Sequence, residues 1–189
     1  MKADANQNKK IVISGGPGSG KSTLLRLLEA DGYQCFKEFS RDLIKREKKG
    51  GNFNYFKSNP IEFSSLVWEK RVDQLNAADK LECNVAKPYV FFDRGLHDVI
   101  AYLNYIGEAY DSDDFNLNSH HYELALLLPP WKAIYVNDGE RMESFEEATA
   151  LYYEIKRTYK EYKIPMVEIP IGTPDQRVLT ILELLKNGK

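Results

Sequence analysis

The chain has 189 residues, with 26 Lys plus Arg set against 28 Asp plus Glu, and 43% of its residues are hydrophobic. That length fits one domain with a sizeable core, and an aromatic fraction of 12% argues against a disordered chain. A formal net charge of −2 gives no global pull toward nucleic acid or an anionic membrane. Cys35 and Cys83 cannot build a disulfide framework and have no metal-type spacing. No apolar run approaches the roughly 18–20 residues that span a bilayer, and the opening MKADANQNKK has no apolar core of a secretory signal. These features predict a cytoplasmic protein with a flexible tail over residues 1–9 and a single domain over 10–189.

Strand and helix patterns alternate along the chain, which predicts a parallel sheet covered by helices. Lys10–Ser14 is an apolar, β-branched run suited to a strand buried on both faces. A Gly-rich turn over Gly15–Gly20 follows, then a helix over Lys21–Ala30 that Gly32 stops. Tyr33–Glu38 reads as the second strand and Ser40–Lys49 as a helix broken by Gly50-Gly51-Asn52. Asn59-Pro60 opens a long helix to about Leu81, Lys87–Asp93 is the third strand, and Leu96–Tyr105 is a short helix. Glu108–Asn118 is polar and acidic, as a surface loop would be. Either Glu123–Leu128 or Ala133–Val136 suits the fourth core strand, and the stretch Tyr122–Leu128 is favoured. A charged, tyrosine-rich helix spans Glu143–Tyr162, and Met166–Pro170 is the last strand. Thr173 with Gln176 three residues on forms a capping box for the final helix.

Gly15-Gly16-Pro17-Gly18-Ser19-Gly20-Lys21-Ser22 fits G-x-x-x-x-G-K-[ST] at every position and lies between a buried strand and an amphipathic helix. A triphosphate needs several backbone N–H donors aimed into one small volume, and glycines let the backbone come close. The helix that follows adds unpaired amides and a positive dipole end. Lys21 would reach the β- and γ-phosphates, and Ser22 would ligate Mg²⁺.

The apolar strand before Asp93 places an acid where a Walker-B-type Asp sits, holding Mg²⁺ through water, and Arg94 follows it at the carboxyl edge of the sheet, where α/β proteins bind ligands. Their bland alternative is a helix cap beside a surface ion pair. Glu38, at the end of the second strand, can accept a proton from an attacking hydroxyl or bind substrate hydroxyls. Arg41, one turn on, can bind a substrate anion, although the two could equally be an i,i+3 ion pair. Arg141, after the turn at Asn137–Glu140, is the candidate for a lid over residues 137–162 that stabilises transferred charge and expels water; Arg157 is a weaker one. Arg71 and Trp68 on the long helix can line an acceptor pocket, with core packing the simpler role for Trp68. The basic residues between Arg41 and Lys57 fit a solvated face, and His97, His120 and His121 fit surface or packing roles. Ile171–Pro174 could border the nucleotide base.

Taken together, IVISGGPGSGKSTL, KEFSRDLI, FFDRGLHDVIAYL, LLLPPW and NDGERMESFEEA resemble a family of phosphate-loop proteins. It groups the kinase domain of NadR-type ribosylnicotinamide kinases with the translocation-defect-type nucleotide-binding proteins, and its members carry the label of AAA-family ATPases. The resemblance covers nearly the whole chain after Lys9. Its specific pieces are Asp93-Arg94-Gly95 and Asp138-Gly139-x-Arg141. It implies a three-layer α/β P-loop NTP hydrolase fold of the nucleoside/nucleotide-kinase-like kind, with a five-stranded parallel sheet in the order 2-3-1-4-5. It also implies phosphate-binding roles for Gly15–Thr23, and it supports Tyr122–Leu128 as the fourth strand and Arg141 as part of a lid.

The leading functional expectation is a small-molecule kinase that moves the γ-phosphoryl of Mg-ATP to a hydroxyl of a nucleoside-like acceptor. Lys21, Asp93, Glu38 and Arg141 carry the catalytic roles, and Glu38, Arg41, Arg94 and Arg71 the acceptor. The alternative is a nucleotide-binding switch or slow NTPase whose bound state, ATP or GTP, controls a protein partner. No guanine-recognition motif selects GTP, and the balanced charge gives little support to a nucleic-acid partner.

Overall fold

The computed structural model describes residues 7–40, 43–44, 58–135 and 143–188. Lys9–Gly15 forms β1, and its Ile11-Val12-Ile13 run is buried because the strand has a neighbour on each side and helices on both faces. Tyr89–Asp93 (β3) and Leu124–Leu128 (β4) flank it. Gln34–Phe36 (β2) and Met166–Glu168 (β5) take the edges. All pairings are parallel, in the order β2-β3-β1-β4-β5 that the resemblance implied.

The two candidates for the fourth strand separate by burial. All five residues of β4 are buried between β1 and β5. Lys132–Ile134 is instead a short 3₁₀ turn with Lys132 and Ala133 exposed, and Val136 lies outside the described residues. The second strand is shorter than its sequence suggests. Its pairing with β3 ends at Phe36 opposite Phe92, so Glu38 stands two residues beyond the sheet rather than at a strand end.

Strand alternation sorts the core into two layers. Ile11, Ile13, Phe91, Leu124, Leu126 and Leu128 face the helices Lys21–Ala30 (α1) and Pro174–Lys186 (α5). Val12, Phe92, Ala125 and Leu127 face Pro60–Asp79 (α2), Leu96–Ile106 (α3) and Phe145–Glu161 (α4). The last helix carries the capping box its sequence predicts, and the helix before it has one as well. Thr173 and Gln176 bond reciprocally at the start of α5, and Ser144 and Glu147 do the same for α4, which therefore begins two residues later than the sequence periodicity suggests. Among the described residues no helix is long and apolar enough to cross a membrane.

This topology delivers two strand ends to one edge. Ile13 pairs with Asp93, so the turn after β1 and the turn after β3 leave the sheet side by side.

Candidate functional site

The turn after β1 is shaped by close approach. Gly15 has φ +144°, and a Cβ on it would lie 2.5 Å from the Leu128 carbonyl oxygen, so a side chain there would collide with β4. Gly18, at φ +76°, sits under the Tyr135 ring, which a Cβ would meet at 2.6 Å. The turn ends at Gly20, the N-cap of α1. Among the described residues no group accepts a hydrogen bond from the amides of Ser19, Gly20, Lys21 or Ser22. A cluster of free N–H groups at a helix start is an anion cradle.

Lys21 is buried, 4% exposed, and its ammonium donates to the carbonyls of Gly15 (3.0 Å) and Gly16 (2.9 Å). Burial pulls its pKa down to about 7, and Arg94 pushes the same way against the pull of Asp93, Glu38 and Asp98. Ser22 Oγ donates to Asp93 Oδ2 at 3.4 Å across the gap between the two turns. Burial, with Glu38 nearby, lifts the Asp93 carboxyl to about 6, and its buried Oδ1 has no hydrogen-bond partner among the described residues. Thr23 uses its amide on the Gly20 carbonyl.

Beyond Asp93 the chain reverses at Arg94, whose φ of 70° is strained for a non-glycine residue. The turn is held by Asp98 on α3, which is buried and accepts from Gly95 N (2.9 Å), Ser14 Oγ (2.5 Å), Tyr159 Oη (2.8 Å) and Arg94 Nη1 (3.1 Å). Arg94 also faces Glu38 at 3.3 Å. Arg71 on α2 donates to the Gly95 carbonyl at 2.7 Å and stands 3.7 Å from Glu38. Burial alone would raise the Glu38 pKa. Arg94, Arg71, Lys21 and the Ser40 hydroxyl overcome it and hold the carboxylate at about 2. Asp98 is lowered for the same reasons, with Arg94 the leading opponent of burial.

These groups form the polar end of a cavity of about 150 Å³. Pro17 of the glycine turn closes one side, and Ile44, Phe63, Val67, Val99, Tyr102 and Leu151 supply an apolar lining. Glu38, Arg71, Arg94 and Asp98 all face it.

The structure thus gathers Lys21, Ser22, Asp93, Glu38, Arg94 and Arg71 around two adjoining turns. Arg41, Arg141 and the basic stretch from Lys45 to Lys57 lie outside the described residues. Of the expected lid, residues 137–142 also lie outside them, and α4 is part of the core, burying Leu151, Tyr152, Ile155 and Tyr159. Arg157 does not reach the site; it is exposed and pairs with Glu154 and Glu161 on its own helix. Trp68 packs edge-on to Phe115, and His97 stacks on Tyr159, both as packing residues. Three polar residues escaped the sequence reading: Ser14, Asp98 and Arg177. The spacing Gly95-x-x-Asp98 was a signal for a helix-start carboxylate, whereas nothing in the pattern of α5 marks Arg177.

A parallel five-stranded sheet in this order, with a glycine turn at its central strand, defines the P-loop α/β fold of the nucleoside and nucleotide kinases. Residues 10–177 match the AAA domain family, and the chain belongs to it. No curated protein matches the sequence. Among solved structures the chain is similar to deoxyadenosine kinase from M. mycoides with dATP bound, at 20% identity and a TM-score of 0.67, covering 94% of this chain and 100% of that one. Thymidylate kinase from Candida albicans aligns at 17% identity and a TM-score of 0.60, over 97% of this chain and 93% of that one. NadR protein in complex with NAD and AMP-PNP aligns at 17% identity and a TM-score of 0.65, over 95% of this chain and 49% of the other.

Proposed function

We propose that the chain binds Mg-ATP at Gly15–Thr23 and transfers the γ-phosphoryl group to a hydroxyl of a small nucleoside-like acceptor held in the cavity. The observation that carries this reading is Glu38, an ionised carboxylate on the wall of a cavity that Pro17 of the glycine turn also lines. The donor and acceptor would then meet end to end.

The free amides of Ser19–Ser22 receive the phosphate oxygens. Lys21 exchanges its contacts with the turn carbonyls for the β- and γ-phosphates, which offset its desolvation. The donor set for a divalent cation is hard oxygen: the Ser22 hydroxyl and the Asp93 carboxylate with its unpartnered Oδ1. When bound there, Mg²⁺ neutralises charge on the triphosphate.

Glu38 accepts a hydrogen bond from the acceptor hydroxyl and orients its oxygen toward the γ-phosphorus. The new bond joins that oxygen to phosphorus, the bond to the bridging oxygen of ADP breaks, and the hydroxyl proton passes to Glu38. A carboxylate held near 2 is a weak base. It suffices because the transition state is loose and the proton leaves late. Arg94, fixed by Glu38 and Asp98, adds positive charge beside the transferred group. Arg141, outside the described residues, stays in this reading as the lid cation for the transferred phosphoryl group. Arg71 and Arg94 are already paired, and Glu38 and Asp98 are anionic, so the cavity favours an acceptor with a hydroxyl over one with a phosphate. Arg41, outside the described residues, stays in this reading as an acceptor-binding candidate.

The test is ATP consumption against purine and pyrimidine nucleosides and their 5′-monophosphates. Turnover stimulated by a nucleoside supports the reading. Tight Mg-ATP binding without stimulation across the panel would replace it with a nucleotide-binding switch.

A further inference from the structure

Arg177 projects from the first turn of α5 and is buried, 4% exposed. Its Nη1 donates to the Ser19 carbonyl at 2.9 Å, across a separation of 158 residues. Its Nε and Nη2 are buried without a hydrogen-bond partner, and no carboxylate pairs with it among the described residues. A lone buried guanidinium is expensive, so its place needs a compensating partner. The nearest structural feature is the anion cradle: a Cβ on Gly20 would lie 3.3 Å from Nη1.

We propose that Arg177 is a positioning residue of the nucleotide site, which holds the Ser19–Gly20 peptide in its phosphate-binding orientation and takes the bound polyphosphate as its counter-charge. The peptide is planar and trans, so its carbonyl and its N–H point in opposite directions. Arg177 holds the Ser19 oxygen outward, toward α5. The Gly20 N–H therefore faces inward, among the free amides of Lys21 and Ser22. The guanidinium charge stands directly behind that peptide and strengthens its donor end. In this arrangement α5, from the far end of the chain, tunes a turn formed next to β1.

The inference rests on polyphosphate binding at residues 15–22, and the two are separable. Calorimetric titration with Mg-ATP and thermal melting without nucleotide are run on wild type, Lys21→Ala, Arg177→Met and Arg177→Lys. Arg177→Met is expected to bind Mg-ATP about 10- to 100-fold more weakly. Its nucleotide-free melting point should equal or exceed that of wild type, because an unpaired buried charge has been removed. Arg177→Lys should recover a large part of the affinity. A strut with no part in binding predicts the reverse: a lower melting point for Arg177→Met with Mg-ATP affinity within twofold of wild type, and that result overturns the inference. If wild type binds no Mg-ATP, or Lys21→Ala binds it equally well, the underlying reading falls, and this inference with it.

Discussion

On the proposed function, the donor and acceptor sides of the site are built from different materials. The donor side is backbone: a run of eight residues, Gly15–Ser22, in which the amides of Ser19–Ser22 have no acceptor among the described residues. The acceptor side is side-chain charge, with Glu38, Arg71, Arg94 and Asp98 brought from four places in the chain and interlocked with the Tyr159 hydroxyl and Ser14. A backbone cradle can lose a side chain and keep its shape. A buried charge network cannot lose a member without leaving another unpaired. Substitutions on the two sides should therefore fail differently.

The largest effect is expected at Glu38. Glu38→Gln should lower acceptor-stimulated kcat on the order of 10²–10⁴-fold while leaving Mg-ATP affinity nearly unchanged. Equal losses in both quantities would place Glu38 on the donor side and break the division. The same variant has a signature in acid. An unfolded glutamate titrates near ~4.3, whereas Glu38 in the fold titrates at about 2. Between those values the unfolded chain binds more protons, so stability falls as the pH is lowered through that window. Glu38→Gln should flatten this part of the slope in acid-melting curves.

Asp98 comes next, and its failure should be structural. Asp98→Ala removes the acceptor for four donors and leaves the buried Arg94 with Glu38 alone. A loss of about 3–5 kcal/mol in stability is expected, measured by urea unfolding. On the donor side, Lys21→Ala should cost on the order of 10²–10³-fold in kcat. The free protein should melt no lower than wild type, because the substitution removes a desolvated ammonium held near 7. A marked destabilisation would show that Lys21 supports the turn through its carbonyl contacts.

The contrast also explains what the sequence could reveal. The donor turn is contiguous, and its glycines, lysine and serine stand at fixed spacing, so eight residues announce it. The strand order followed from a resemblance whose motifs span the chain, and the same resemblance supported Tyr122–Leu128, which contains β4, over the equally apolar Ala133–Val136. Glu38 was visible as an acid near a strand end, although β2 stops earlier because its ladder with β3 runs out at Phe36. The partners of these residues were not legible. Nothing local says that Arg71 reaches Gly95, or that Ser14 meets Asp98 across 84 residues. Arg177 is the extreme case: on α5 it reads as one more cation of an amphipathic helix, and only the packing of α5 beside the turn gives it a role.

The smallest expected effect tests how rigidly the acceptor side must be held. Tyr159 is buried on α4, and its hydroxyl donates to Asp98 at 2.8 Å. Tyr159→Phe keeps the ring stacked on His97 and removes one of four donors to a carboxylate that retains Arg94. A cost of about 1.5–3 kcal/mol is the range for a hydrogen bond to a charged group. The lower end is expected here, because Gly95, Ser14 and Arg94 continue to satisfy Asp98. If orientation of Arg94 depends on the whole set, kcat should fall by more than the stability change predicts, with Mg-ATP affinity unaltered. If kcat holds while stability drops, Tyr159 braces α4 against α3 and the Arg94 turn is positioned by Asp98 and Glu38 without it.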